Sequence, residues 1–408
     1  MPTAPPTTTD ASLSIGRREF IIMMSMTMAM TALSIDIMLP ALPLIREGLG
    51  LPEGSTDVAA ILTVFFVGLA VAQVFYGPLA DRFGRKPVLF ASYAIFITGA
   101  VFSALAPTLP TLLAARVLWG IGAAGIRVVA LSVVRDLYEG EAMAKTMSII
   151  MAIFILVPVI APAIGAGIIA VAPWRVLFWF VATFALGVAL WSRRLPETLK
   201  PEHQLELSFA RVGKAAKAVV SQRTTVGFTI ATGATTGALI AWLSLAELVV
   251  GDVYGRLEIF PLFFGGMAAL TGGVMLTNGR LIDRFGLHRL VTIVTRSYVA
   301  SSAVLLAVVL LYDGVPPFWM LFVLLSIVFS HYGLIIPNFT TIAMQPLGHV
   351  AGTASALIGA VSTLMGVGLS TLVTATFNET VVPVAAAFFV LGLVALAAAS
   401  WGEHHRTF

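Results

Sequence analysis

Only 11% of the 408 residues are charged and 59% are hydrophobic, whereas a soluble domain carries roughly 25% charged residues, so a water-soluble globular fold is excluded. There is no cysteine, which removes disulfides and thiolate metal sites and leaves the redox compartment open. The net charge of +4 and pI near 9.5 come from basic residues placed between apolar runs, which points to membrane topology and anionic lipid rather than nucleic acid.

Crossing about 30 Å of hydrocarbon takes about 20 apolar residues, and the sequence supplies twelve such runs: Phe20–Leu44, Val58–Ala80, Val88–Ala106, Thr111–Val134, Ala144–Val171, Arg175–Trp191, Thr225–Val249, Ile259–Asn278, Leu290–Tyr312, Pro317–Thr340, Gly352–Ala375 and Val381–Trp401. Arg17, Arg18, Arg82, Arg85, Lys86, Arg135, Lys145, the basic residues of 193–223, Arg280, Arg284, Arg289 and Arg406 all fall on one side of the twelve-span arrangement. Only Arg46, Arg175 and Arg256 flank the other, so both termini are expected in the cytoplasm.

The first 18 residues are polar and rich in proline and threonine, and lead through Arg17-Arg18 into a full-length span, which reads as an uncleaved anchor on a short tail. In that first span Asp36 is the only acid placed deep in the membrane, about 24 Å along the helix from Phe20 and hence in the outer half. Its helical face carries Ala32, Ala29 and Ser25, small residues suited either to line a cavity or to pack a neighbour. The same span is rich in methionine, including Met28, which either adapts to varied ligands or faces lipid. Gln73 in the second span either contacts substrate or bonds a nearby backbone group.

After the second span comes Gly77-Pro-Leu79-Ala-Asp81-Arg82-Phe83-Gly84-Arg85-Lys86, which recurs as Gly279-Arg-Leu281-Ile-Asp283-Arg284-Phe285-Gly286-Leu-His288. The offset from 77 to 279 is 202 residues, almost half the chain, so the protein reads as a duplicated unit. Gly77 and Gly84 allow close approach and a tight turn, Asp81 suits a helix start, and the basic residues stay on the cytoplasmic side.

Arg116 in the fourth span lies about 8 Å from that helix's outer end, a depth similar to that of Asp36, so the two are expected to meet. Such a pair either couples protons or fixes the helices. Arg127, eight residues before Arg135, either snorkels toward the cytoplasm or faces a cavity. Pro158, Pro162 and Gly165 bend the fifth span and let it pack closely. Between the halves, 193–223 is polar; Arg211, Lys214 and Lys217 alternate with Phe209, Val212, Ala216 and Val219 at helical spacing, as in a basic amphipathic helix on the inner leaflet. In the second half, Arg296 parallels Arg127, His331 either contacts substrate or bonds backbone, and Gly352, Ser355, Gly359, Ser362 and Gly366 form a packing stripe. The organisation expected is a tail 1–19, a six-helix bundle 20–192, a linker 193–223, a second bundle 224–402 and a tail 403–408.

The repeated loop resembles the signature G-x-L-a-D-r-x-G-r-[RK] of the major facilitator superfamily, filled by Gly77, Leu79, Ala80, Asp81, Arg82, Gly84, Arg85 and Lys86. Leu112-Leu-Ala-Ala-Arg116-Val-Leu-Trp119-Gly120-Ile-Gly-Ala-Ala resembles the helix-4 signature, with Trp119 where glutamine is frequent. Pro158-Val-Ile-Ala161-Pro162-Ala-Ile-Gly165-Ala166-Gly167 resembles the helix-5 element of the antiporters, with alanine at two of its glycines. Ile35-Asp36-Ile-Met-Leu-Pro40-Ala-Leu-Pro43, Asn338 and the segment from Gly348 to Ser355 look like the Bcr/CflA drug:proton antiporter branch, which contains bicyclomycin and chloramphenicol exporters. The resemblance implies an all-α membrane protein with twelve transmembrane helices in two six-helix bundles, the major facilitator fold. It implies that Asp81 and Arg85, with Asp283 and Arg284 in a weaker second copy, latch the halves on the cytoplasmic side, and that Arg116 serves proton coupling.

No GxxxxGK[ST], HExxH or GxSxG occurs, so neither a nucleotide motor nor a hydrolase is expected, and no metal or cofactor. The function expected is multidrug efflux of small amphiphilic compounds by a monomer in the bacterial inner membrane, driven by the proton gradient. Asp36 would carry the proton, releasing a cationic or strongly polar substrate when neutralised. The alternative is an importer or metabolite exchanger on the same scaffold; a membrane enzyme or sensor lacks a catalytic constellation or soluble domain. Ser25, Met28, Ala29, Gln73, Arg127, His331 and Asn338 are the expected cavity residues.

Overall fold

The computed structural model describes residues 15–403 apart from 53, 139, 200, 201, 203 and 205–208. The N-terminal tail to residue 14, Arg406, and the side chains of Phe209, Arg211 and 348–350 lie outside the described residues. Among the described residues twelve helices are long and apolar enough to cross a membrane: α1 (Arg17–Gly48), α2 (Thr56–Phe83), α3 (Arg85–Leu105), α4 (Leu109–Leu137), α5 (Lys145–Ile169), α6 (Arg175–Arg194), α7 (Arg223–Val253), α8 (Leu257–Leu276), α9 (Leu287–Leu311), α10 (Phe318–Leu347), α11 (Ala351–Ala375) and α12 (Val382–Glu403). The linker forms a separate helix, Phe209–Ser221, and the second copy of the repeat a short one, Asn278–Phe285. The chain is an all-α, multi-pass membrane protein.

Their burial shows how the helices are arranged. α1, α4 and α7 are the most enclosed, whereas α5, α9 and α11 show most of their surface outward. Leu262, Leu311 and Val171 are largely exposed, a surface that water would penalise and a hydrocarbon layer accepts. The two repeats end their helices alike: Gly84 and Gly286 take φ of +98° and +76°, a left-handed turn that only glycine adopts without strain, and each starts the next span.

Several spans depart from a regular α-helix. α1 is helical from Arg17 to Asp36, then opens and continues as a 3₁₀ turn at Leu39–Ala41 and a short helix at Leu42–Gly48, because Pro40 and Pro43 donate no backbone hydrogen bond. α7 ends in a π-turn, Leu248–Val253. α10 is divided at His331 into Phe318–Ser330 and Tyr332–Met344. Gly165 of α5 rests on the break in α1, where a Cβ would run into the Ile37 carbonyl oxygen. The halves meet where α2 packs on α11 and α5 on α8. The stripe on α11 serves both neighbours: Gly366 meets Thr236 and Gly237 of α7, while Gly359 meets Gln73 of α2.

Candidate functional site

At one end of the molecule the halves are joined by buried charge. The short helix after the α1 break carries Arg46, whose Nη2 donates to Glu247 Oε1 at 2.9 Å and Oε2 at 3.1 Å, while Nη1 donates to Asp252 Oδ2 at 2.9 Å. Arg46 is 5% exposed and Glu247 1%, so this contact lies out of water. The π-turn places Asp252, and the α1 break places Arg46; without both, the three groups would not converge.

At the opposite, basic end a cavity of about 800 Å³ opens between the halves. α2 contributes Gln73 and Asp81, α4 Arg127 and Arg135, the linker helix Lys214, and α11 Ser355. A second hollow of about 780 Å³ is bounded by apolar and aromatic side chains of α2, α3 and α4, including the exposed Val71 and Phe75.

Asp36 and Arg116 do not pair. Among the described residues no hydrogen bond or ion pair engages the Asp36 carboxylate, which is 5% exposed at the last turn before the break. The fully buried Arg116 instead donates from Nη1 to Ser34 O at 3.1 Å and from Nε to Ile61 O at 3.2 Å, with its guanidinium 4.6 Å from the Phe65 ring and 4.7 Å from that of Trp119. The break explains this choice. A helix leaves its last four carbonyls without N–H partners, and a cation at that end completes one of them.

The repeated loop is likewise more local than expected. Arg85 binds Asp81 Oδ1 through Nη1 at 2.5 Å and Asp136 Oδ2 through Nε at 2.8 Å. Glu197 Oε1 and Oε2 accept from the backbone N–H groups of Arg85 and Lys86 at 2.9 and 3.0 Å, capping the start of α3, and Lys86 Nζ donates to Arg193 O. These partners come from the first half and the start of the linker, so in this structure, with the cavity open at this end, the motif clamps α2, α3, α4 and the end of α6 together. Arg82 is exposed, and Gly77 and Asp81 border the cavity. In the second copy Asp283 and Arg284 are exposed, and His288 Nδ1 meets Glu403 Oε1 at 2.9 Å in their stead.

Of the seven expected cavity residues only Gln73 and Arg127 line it. Ser25 Oγ donates to Ile21 O within its own helix, and Met28 and Ala29 are packed in the first half. His331 is satisfied by Ile327 O at 2.7 Å and by Ser297 of α9 at 2.9 Å. Asn338 exchanges two amide hydrogen bonds with Asn278, at 2.8 and 3.2 Å. Pro158 and Pro162 lie inside the helix of α5 as expected.

Residues 24–370 match the family described as the Major Facilitator Superfamily. The chain belongs to this superfamily. It is 30% identical over 387 residues, 93% of this chain and 94% of the other, to the uncharacterized MFS-type transporter YdgK of Bacillus subtilis (strain 168). It is 26% identical over 367 residues, 89% and 91% of the two chains, to a bicyclomycin resistance protein homolog of Haemophilus influenzae. A crystal structure of a D-xylose-proton symporter shares the fold with TM-score 0.77 at 14% identity, covering 94% of this chain and 97% of that one.

Within this transporter fold, sequence reasoning missed Arg46, Glu247, Asp252, Asp136 and Glu197. Glu247 carried a readable signal, since it falls inside the seventh span drawn from the sequence, where a charge is costly and marks function. Arg46 carried none, because nothing local distinguishes it from a flanking anchor.

Proposed function

We propose that this superfamily member is a proton-driven exporter of small amphiphilic, drug-like compounds that works by alternating access. The observation that carries the reading is the buried Arg46–Glu247 pair, contributed by opposite halves, at one end of a molecule whose inter-half cavity opens at the other. Opening one end while closing the other requires only that the halves rock about the cavity between them. The positive-inside rule assigns the basic, open end to the cytoplasm of a bacterial inner membrane, with both termini on that side. The exporter acts as a monomer and needs no cofactor.

Asp36 is the proton carrier in this scheme. Its carboxylate is buried at a helix break and holds no partner among the described residues, so gaining or losing a proton breaks no ion pair there. Energy enters through the different affinities of the two states for proton and substrate. The named relative makes bicyclomycin the first compound to test, in an efflux-deficient bacterial host and then in everted vesicles. Substrate-induced proton release from vesicles carrying the wild type, lost in a folded Asp36→Asn variant that still binds, is the expected result. Proton release that persists unchanged in that variant would rule out Asp36, and uptake driven in the inward direction would replace export with import.

A further inference from the structure

We propose that the cavity between the halves selects amphiphilic organic anions, with Arg127 receiving the substrate's acidic group. This rests on the transporter reading above and narrows its substrate class away from the cationic compounds expected from Asp36 alone. Three cations line the cavity, Arg127, Arg135 and Lys214, and among the described residues none of them holds a carboxylate. Asp81, the one acid among the cavity's described lining residues, is already engaged by Arg85. The local field in the cavity is therefore positive, and a low-dielectric wall strengthens such a field.

Arg127 is the deepest of the three. It stands eight residues before Arg135 on α4, about 12 Å further into the membrane. An arginine does not shed its proton in a protein, and Arg127 is exposed on the cavity wall with no carboxylate on it among the described residues, so its guanidinium is available to a ligand. A carboxylate, sulfonate or phosphate can accept two parallel hydrogen bonds from that guanidinium. Gln73 adds a second, independent donor: it is 8% exposed, lines the same cavity, and its side-chain amide nitrogen has no acceptor. Met143 and Met147 give the wall an adaptable apolar side for the rest of an amphiphile. A volume of about 800 Å³ suits a drug-sized ligand.

A matched series separates charge from shape: phenylbutyrate, its amide and phenylbutylamine, titrated against the purified full chain in phosphatidylcholine nanodiscs. The acid is expected to bind about tenfold to a hundredfold more tightly than the amide, the range for hydrogen bonds to a charged group. Arg127→Gln should remove that advantage and leave amide binding unchanged, and Arg127→Lys should keep part of it; equal melting temperatures without ligand establish that the variants are folded. A lipid phosphate offers the same chemistry. Replacing part of the phosphatidylcholine by phosphatidylglycerol assigns the site to a headgroup where the acid is displaced, and to a soluble substrate where it is not. Amine or amide binding as tight as that of the acid, acid affinity unchanged in Arg127→Gln, or no acid binding at millimolar concentration would each overturn the anionic assignment while leaving bicyclomycin-induced proton release to be judged separately. Loss of that release with acid binding retained would instead sink the export reading and keep the anion site.

Discussion

Replacing Arg46 by methionine removes the cation from a carboxylate that is 1% exposed, and leaving one member of a buried pair uncompensated costs about 3–5 kcal/mol. The Asp252 side chain is 39% exposed, so its share of the contact is at most about 1 kcal/mol and nearly all of the effect falls on Glu247. Because the pair joins the halves, the penalty falls on the state with this end closed, not on the packing within either half. At 1.4 kcal/mol per factor of ten, the closed-to-open ratio should drop by roughly 150- to 4000-fold. The chain has no cysteine of its own, so spin labels at Glu47→Cys and Glu258→Cys, both exposed, report the separation of the halves without background. Arg46→Met should populate a longer distance in double electron–electron resonance. The double variant Arg46→Met with Glu247→Met should return most molecules to the short one, since an apolar pair packs there without a desolvation penalty. A short-distance distribution unchanged in the single variant, with an unchanged melting temperature, would refute the idea that this pair holds the end shut.

Asp36→Asn should melt like the wild type because no partner is orphaned, whereas Arg116→Leu loses two hydrogen bonds from a charged donor, about 1.5–3 kcal/mol each, and should melt lower; the reverse order in detergent melts would reinstate an Asp36–Arg116 pair. Glu197→Ala removes the acceptor that caps α3 and should cost about 1 kcal/mol, as helix-cap losses do, while Asp283→Asn on the exposed second copy should leave the melting temperature alone. Cysteine at Asp313, but not at Thr9, should react with an impermeant maleimide added to intact cells; labelling at Thr9 would invert the topology.

Hydrophobic run length and the spacing of the two copies of the charged loop determined twelve spans and a doubled architecture, because a bilayer sets the length of every crossing helix and a duplication leaves its offset in the chain. Glycine at 84 and 165 was legible too, since the turn at one and the close approach at the other act where they stand, whereas the break at Pro40 and Pro43 was drawn as unbroken helix. Depth in the membrane was also readable, and it placed Asp36 and Arg116 at one level. What depth lacks is rotation about each helix axis and knowledge of where a helix opens. Arg116 therefore reached the Ser34 carbonyl, freed by the break in α1, and not the Asp36 carboxylate. The same limit hid Arg46 and Glu247. They lie 201 residues apart in different halves, and only packing the two bundles against each other brought them within 2.9 Å.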